Sequence, residues 1–162
     1  MTDLTDLSSR VGHALLAKNQ LLSIAESCTG GGISQAITDI AGSSEWFDCG
    51  FVTYSNDAKT ELLGIPAALI AQHGAVSEEI AAEMARGAVA NSNASVAVSA
   101  TGIAGPGGAV PGKPVGTVCF GWAIGSMIRT ERRVFSGDRR AVREQAVTHS
   151  LQGLLRRLEG GA

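Results

Sequence analysis

Aromatic residues are scarce in this chain. Two tryptophans, four phenylalanines and a single tyrosine make up 4% of the 162 residues. Most of the 44% hydrophobic content is therefore small or aliphatic, and any core has to be built from such side chains. Charge is thin too, at 17%, with a formal net charge of −2, whereas a nucleic-acid binder would usually carry a basic excess. Only three cysteines occur, Cys28, Cys49 and Cys119, far apart and with no Cys-x-x-Cys pair. That spacing supports neither a disulfide framework nor a zinc knuckle, and it fits a reducing, cytoplasmic setting. No apolar run approaches the ~18 residues a membrane span needs. The opening MTDLTDLSSRVG has neither the basic region nor the apolar stretch of a secretory signal. Glycine, by contrast, is plentiful, with 21 residues. The length suits one domain, 1–162, with a sizeable core, and the composition points to an α/β domain with tight loops, not a disordered chain.

Hydrophobic periodicity divides the chain into alternating helices and strands. Leu4, Leu7, Val11, Ala14 and Leu15 recur at helical spacing, predicting a helix over roughly the first eighteen residues. A buried strand is expected over 21–26, a helix over 30–41 and a strand over 50–55. Ser55 resembles the N-cap of a short helix ending at Gly64, before Pro66. Helices are expected over 66–74 and, capped by Ser77, over 77–93. A buried strand over 94–100 leads into a glycine- and proline-rich loop, Thr101 to Pro114. Two strands over 115–124 and 127–135 turn at Gly125-Ser126, and Asp138 caps a last helix running to Leu158. Helices interleaved with strands, closed by a hairpin, imply a single three-layer α/β domain with a mixed sheet.

Two junctions carry unusual chemistry. In AESCTGG, a strand ends in Glu26, Ser27, Cys28 and Thr29 before a glycine run containing Gly30 and Gly31. Glycines weaken a helix by up to ~1 kcal/mol each unless close approach is required. A helix beginning there would aim free N–H groups at a ligand, although capping by Ser27 or Thr29 explains part of the pattern. The second junction, Thr101-Gly102-Ile103-Ala104-Gly105, follows a buried strand, where ligands of α/β sheets usually bind. The nearby GGAVPGKP imitates a phosphate-binding loop, but Pro114 replaces the hydroxyl residue and a strand, not a helix, follows.

Candidate bases are few. His13, His73 and His149 fall in helical segments away from these junctions, so a Ser–His–Asp triad has no support. Of three lysines, Lys59 follows the Ser55 cap by one turn and the only tyrosine, Tyr54, by five residues. A lysine serves as a base only when burial or neighbours lower its pKa. Its hydroxyl partner stays open among Ser27, Ser43 and Ser44, with Cys28 ranking lower because no histidine accompanies it. Six arginines cluster between Arg129 and Arg143; Arg139 and Arg143, one turn apart, either hold an anionic group or form a solvated helix face.

The ordered set AESCTGG, GSS-x-x-F, GFVTYSN-x-A-K, HGAVS, TGIAGPGG, KPVGTV and SGDR resembles the CinA C-terminal domain family of nicotinamide-nucleotide amidohydrolases, over Ala25 to about Arg143. The resemblance implies a stand-alone form of that domain. It also implies hydrolysis of the carboxamide of nicotinamide mononucleotide to nicotinate mononucleotide and ammonia, with neither metal nor cofactor. It implies a serine–lysine mechanism, with Ser44 as nucleophile, Lys59 as base and Tyr54 as a supporting hydroxyl. Ser27 and Thr101 match polar positions lining the family's pocket. Thr29, Gly30, Gly31, Gly102, Gly105, Arg139 and Arg143 are the further expected substrate contacts. A non-catalytic nucleotide-binding module of the same family is the alternative reading. The expected partner is a small nucleotide, with no nucleic acid and no membrane, and the apolar composition suggests a homo-oligomer, dimer or higher.

Overall fold

Asp3 caps the first helix, its carboxylate accepting from the N–H of Thr5. The computed structural model describes residues 3–160. Along the chain lie α1 (Leu4–Ala17), β1 (Leu22–Glu26), α2 (Gly32–Thr38), a 3₁₀ turn (Ser43–Glu45), β2 (Phe47–Val52), α3 (Asn56–Leu63) and α4 (Ala67–His73). They are followed by α5 (Glu78–Ala90), β3 (Val96–Gly102), β4 (Thr117–Ile124), β5 (Met127–Val134) and α6 (Arg139–Leu158).

The five strands form one sheet in the order β2-β1-β3-β4-β5. β1 is parallel to β2 and β3, while β4 and β5 run antiparallel, so the sheet is mixed as expected. Alternation along the strands separates two cores. Ile24, Val98, Phe120 and Trp122 pack under α1, α2 and α6, whose Val11, Ile33 and Leu151 are fully buried. Ala25, Ala97 and Ala123 face α3, α4 and α5, meeting Leu63, Ile70 and Met84. The second face is lined by small residues because α5 lies almost on the sheet. A Cβ on Gly121 would stand 2.5 Å from the Ala81 carbonyl oxygen, and Ser99 donates to that same oxygen at 2.6 Å.

The connections decide where a ligand can sit. β1 reaches β2 through α2 on one face, and β2 reaches β3 through α3 to α5 on the other. Crossovers over opposite faces leave a crevice beyond the C-terminal ends of β1 and β3, where open α/β sheets bind ligands.

Several boundaries differ from the expectations. α2 begins at Gly32, not residue 30, because Gly30 and Gly31 adopt left-handed φ values of 59° and 99°. β2 begins at Phe47 and ends at Val52, earlier than expected. Trp46 is drawn into the core, and its carbonyl accepts from the Leu22 N–H, which starts the pairing with β1. The Ser55 cap then takes the chain out of the sheet. No described helix is long and apolar enough to cross a membrane.

Candidate active site

A cleft of about 270 Å3 opens beyond β1 and β3, with Ser27, Tyr54, Lys59, Thr101 and Arg139 among its lining residues. The loop after β3, including Gly102, Ala104 and Gly105, supplies another wall, and no acidic side chain among the described residues lines the cleft.

Lys59 is placed by local sequence. The Ser55 hydroxyl accepts from the Ala58 N–H at 3.0 Å and fixes the start of α3. One turn later, Lys59 and Leu63 are the buried positions of this helix, so the lysine lies on the inward face. Only 1% of Lys59 is exposed. Its Nζ lies 2.9 Å from the Thr53 carbonyl oxygen, 3.4 Å from that of Tyr54 and 3.2 Å from Ser27 Oγ. It forms no ion pair with a carboxylate among the described residues. Burial lowers the pKa of Lys59 from its ordinary value, opposed only by a charge on Cys28. The Cys28 thiol, however, is itself pushed up to about 12, chiefly by burial. At neutral pH it is uncharged, so it neither holds the lysine protonated nor acts as a thiolate nucleophile.

Ser27 sits on the turn between β1 and α2. Its N–H donates to the Ala100 carbonyl at 3.0 Å and its carbonyl accepts from Gly30 N–H at 3.0 Å. Among the described residues, no backbone carbonyl accepts from the N–H of Cys28 or Thr29. The preceding Glu26 is fully buried, and its carboxylate reaches over this turn. Oε1 accepts from Thr29 Oγ1 at 2.6 Å and from Ile33 N–H at 2.9 Å; Oε2 accepts from the N–H and the hydroxyl of Ser34, both at 2.8 Å.

The other expected site residues divide into several groups. Thr101, Gly102 and Gly105 line the cleft, the Thr101 hydroxyl donating to the Ala75 carbonyl at 2.9 Å. Thr29 commits its hydroxyl to Glu26, and Gly30 and Gly31 form the left-handed bend, so these three serve the turn and do not line the cleft. Tyr54 is 62% exposed, and its hydroxyl accepts from Arg139 Nη2 at 3.0 Å, away from the lysine amine, which meets only its carbonyl. Arg139 also donates to the Gly105 carbonyl at 2.8 Å, bridging two walls at the rim. Arg143 donates to the carbonyls of Cys28 and Thr29 at 3.1 and 3.3 Å; it bolsters the turn from behind, beside a separate hollow of about 510 Å3 that Arg139 and Arg140 also line.

The expected pairing of Ser44 with Lys59 does not fit this geometry. Ser44 is exposed in the 3₁₀ turn before β2, whereas Lys59 follows that strand. The strand is six residues long. At about 3.3 Å per residue it separates the two by on the order of 17 Å. The hydroxyl within hydrogen-bond distance of the Lys59 amine is that of Ser27. The missed contributor, the Thr53 carbonyl, had one available signal: the spacing of Lys59 and Leu63, which puts the lysine on a buried helix face.

The CinA C-terminal domain profile matches residues 4–158. Over 155 residues the chain is 53% identical to the nicotinamide-nucleotide amidohydrolase PncC of Pseudomonas putida, covering 96% of this chain and 97% of that protein. It is 54% identical over 158 residues to the protein of the same name from Escherichia coli K12, covering 95% of each. The crystal structure of a CinA superfamily protein from Klebsiella pneumoniae superposes with a TM-score of 0.94 at 39% identity, covering 98% of this chain and 99% of that one.

Proposed function

The chain belongs to the CinA C-terminal domain family, and from that premise we propose that it hydrolyses the carboxamide of nicotinamide mononucleotide, releasing ammonia and nicotinate mononucleotide, with Ser27 as nucleophile and Lys59 as base. The substrate class rests on the names of the relatives that align end to end. The residue assignment rests on one observation, the surroundings of the Lys59 amine. A neutral amine has two N–H groups and one lone pair. The carbonyls of Thr53 and Tyr54 can take only the hydrogens, which leaves the lone pair for the Ser27 hydroxyl.

The chemistry follows from that arrangement. Ser27 Oγ attacks the carboxamide carbon as its proton passes to Lys59 Nζ. The carbonyl oxygen becomes an oxyanion, for which the N–H groups of Cys28 and Thr29 are the nearest donors in the chain after the serine. Each donor that contacts such an oxyanion is worth about 3 kcal/mol. Lys59 returns the proton to the departing nitrogen, which leaves as ammonia and closes the first half with an ester on Ser27. Water then attacks the ester, gives a proton to Lys59, and the acid product departs as Ser27 is reprotonated. The positively charged pyridinium keeps the neighbouring lysine neutral, an effect that no acidic side chain in the cleft offsets. Arg139, at the rim, is suited to the substrate phosphate, and Tyr54 acts through its carbonyl and through its bond to this arginine. We assign the protein to pyridine-nucleotide recycling in the cytoplasm, as a homo-oligomer.

Ammonia release from a panel of nicotinamide mononucleotide, its riboside and free nicotinamide, with and without chelator, tests this reading. Chelator-resistant turnover that is fastest on the mononucleotide supports it. Binding of the mononucleotide without any ammonia release would instead indicate a non-catalytic module. Activity lost to chelator and restored only by a divalent ion would exclude the serine–lysine chemistry.

A further inference from the structure

Glu26 takes no part in the chemistry above, yet it is a fully buried carboxylate one residue before the proposed nucleophile. Four polar groups converge on it. Two are backbone N–H groups of the first turn of α2, from Ile33 and Ser34, and two are the hydroxyls of Thr29 and Ser34. Helices ordinarily obtain such a partner from the N-cap residue. Here that residue is Gly31, in left-handed conformation and without a side chain, so the cap comes from the preceding strand. The consequence is geometric. Glu26 is fixed at the end of β1, where it pairs with Val52 and Ala100, and its carboxylate is fixed to α2. The segment between, which carries Ser27, is held at both ends by a single residue, through its backbone at β1 and its side chain at α2.

We propose that Glu26 is a positioning residue: by tying the end of β1 to the start of α2, it holds Ser27 Oγ within reach of the Lys59 amine. This rests on the assignment of Ser27 and Lys59 given above. The Ser27–Lys59 separation is already 3.2 Å, so little slack is tolerable. A misplacement of ~1 Å at a reacting group costs about 100-fold in rate. Glu26→Gln keeps the size of the side chain but turns one acceptor into an N–H donor facing other donors. None of the four contacts of Glu26 is to Lys59, whose amine meets Ser27 and the carbonyls of Thr53 and Tyr54, so the substitution acts on the turn and not on the lysine's own contacts.

The test compares the wild-type and Glu26→Gln full-length proteins at a temperature where circular dichroism shows both folded. It reads four quantities: kcat and KM on nicotinamide mononucleotide, the acidic limb of kcat/KM against pH, amide hydrogen exchange at Ile33 and Ser34, and the labelling rate of Ser27 by a sulfonyl fluoride, located by mass spectrometry. Expected are a kcat lowered at least about tenfold with KM within about twofold, as lost positioning of a reacting group should give. Faster exchange at Ser34, labelling of Ser27 slowed in parallel with kcat, and an unmoved acidic limb are expected alongside. Should Glu26→Gln not fold, Ser34→Ala removes one of the four contacts and is expected to lower kcat and labelling in the same direction by a smaller factor. Faster exchange with unchanged kcat and labelling would reduce Glu26 to a helix cap and overturn the proposal, as would a displaced acidic limb, which would make its effect electrostatic. The sulfonyl fluoride arm separates the two readings. Labelling of wild-type Ser27 that is slowed by Glu26→Gln, without ammonia release by either protein, would sink the substrate assignment and leave the positioning role standing.

Discussion

Replacing Lys59 with methionine keeps a buried unbranched chain and deletes the amine, with consequences for rate and for stability. The rate should fall because Ser27 loses the basic nitrogen within hydrogen-bond reach of its hydroxyl. Positioned general bases contribute about 10²- to 10⁴-fold, or roughly 3–5 kcal/mol of barrier. The stability effect has a sign that follows from linkage. Burial lowers the native pKa of Lys59, while in the unfolded chain the residue titrates near its ordinary ~10.4. Between those two values the unfolded state binds one more proton than the native state. Wild-type stability therefore rises with pH across that window, by up to about 1.4 kcal/mol per pH unit, and the Lys59 contribution to the slope vanishes below the native pKa. Lys59→Met lacks this component. Urea unfolding of both proteins from about pH 6 to pH 10, beside kcat/KM over the same range, reads both effects. The wild type should gain stability relative to the variant as pH rises, and its kcat/KM should climb through an acidic limb at the native pKa. A stability difference that stays flat throughout, together with substantial activity in Lys59→Met, would refute the neutral-amine argument.

Arg139→Ala should raise KM for nicotinamide mononucleotide about tenfold and leave kcat within about twofold, because a contact to the phosphate is shared by ground and transition states. Steady-state kinetics on the phosphate-free riboside should be insensitive to the same change; equal effects on both substrates would remove the phosphate contact. Gly12→Ala tests the core under α1. The new Cβ would stand 2.5 Å from Trp46 Cε2, an overpacking worth about 1–3 kcal/mol that urea unfolding should detect. An unchanged midpoint would show that the Trp46 ring moves aside freely.

Local signals carried much of the architecture. The Ser55 and Ser77 caps and the final helix from Asp138 lie where short-range pattern puts them. The strand at 47–52 was shifted in the expectation because its start depends on Trp46 and the pairing with β1, contacts that no local window contains. The same limit governs the site. Ser27 and Ser44 look alike in sequence, each a serine near glycines at the probable start of a helix. Only the parallel register of β1 and β2 sends them to opposite ends of the sheet, and that register is a long-range property. Lys59 was recognisable because its burial is written in the helical spacing around it. The support Arg143 gives to the turn was not, since its donors go to carbonyls 114 and 115 residues earlier in the chain. The crowding of Glu26, Ser27, Cys28 and Thr29 was visible as an anomaly. Its resolution, a carboxylate capping a helix whose own cap position is glycine, required the fold.

The assignment of the nucleophile is tested most directly by the turnover of nicotinamide mononucleotide by Ser27→Ala and Ser44→Ala, assayed side by side as folded proteins. Removal of a catalytic nucleophile usually costs several orders of magnitude in kcat. Ser27→Ala should lose activity by at least about 10³-fold, and Ser44→Ala, altered on an exposed turn at the far end of β2, should turn over at nearly the wild-type rate. An inactive Ser44→Ala beside an active Ser27→Ala would contradict the account.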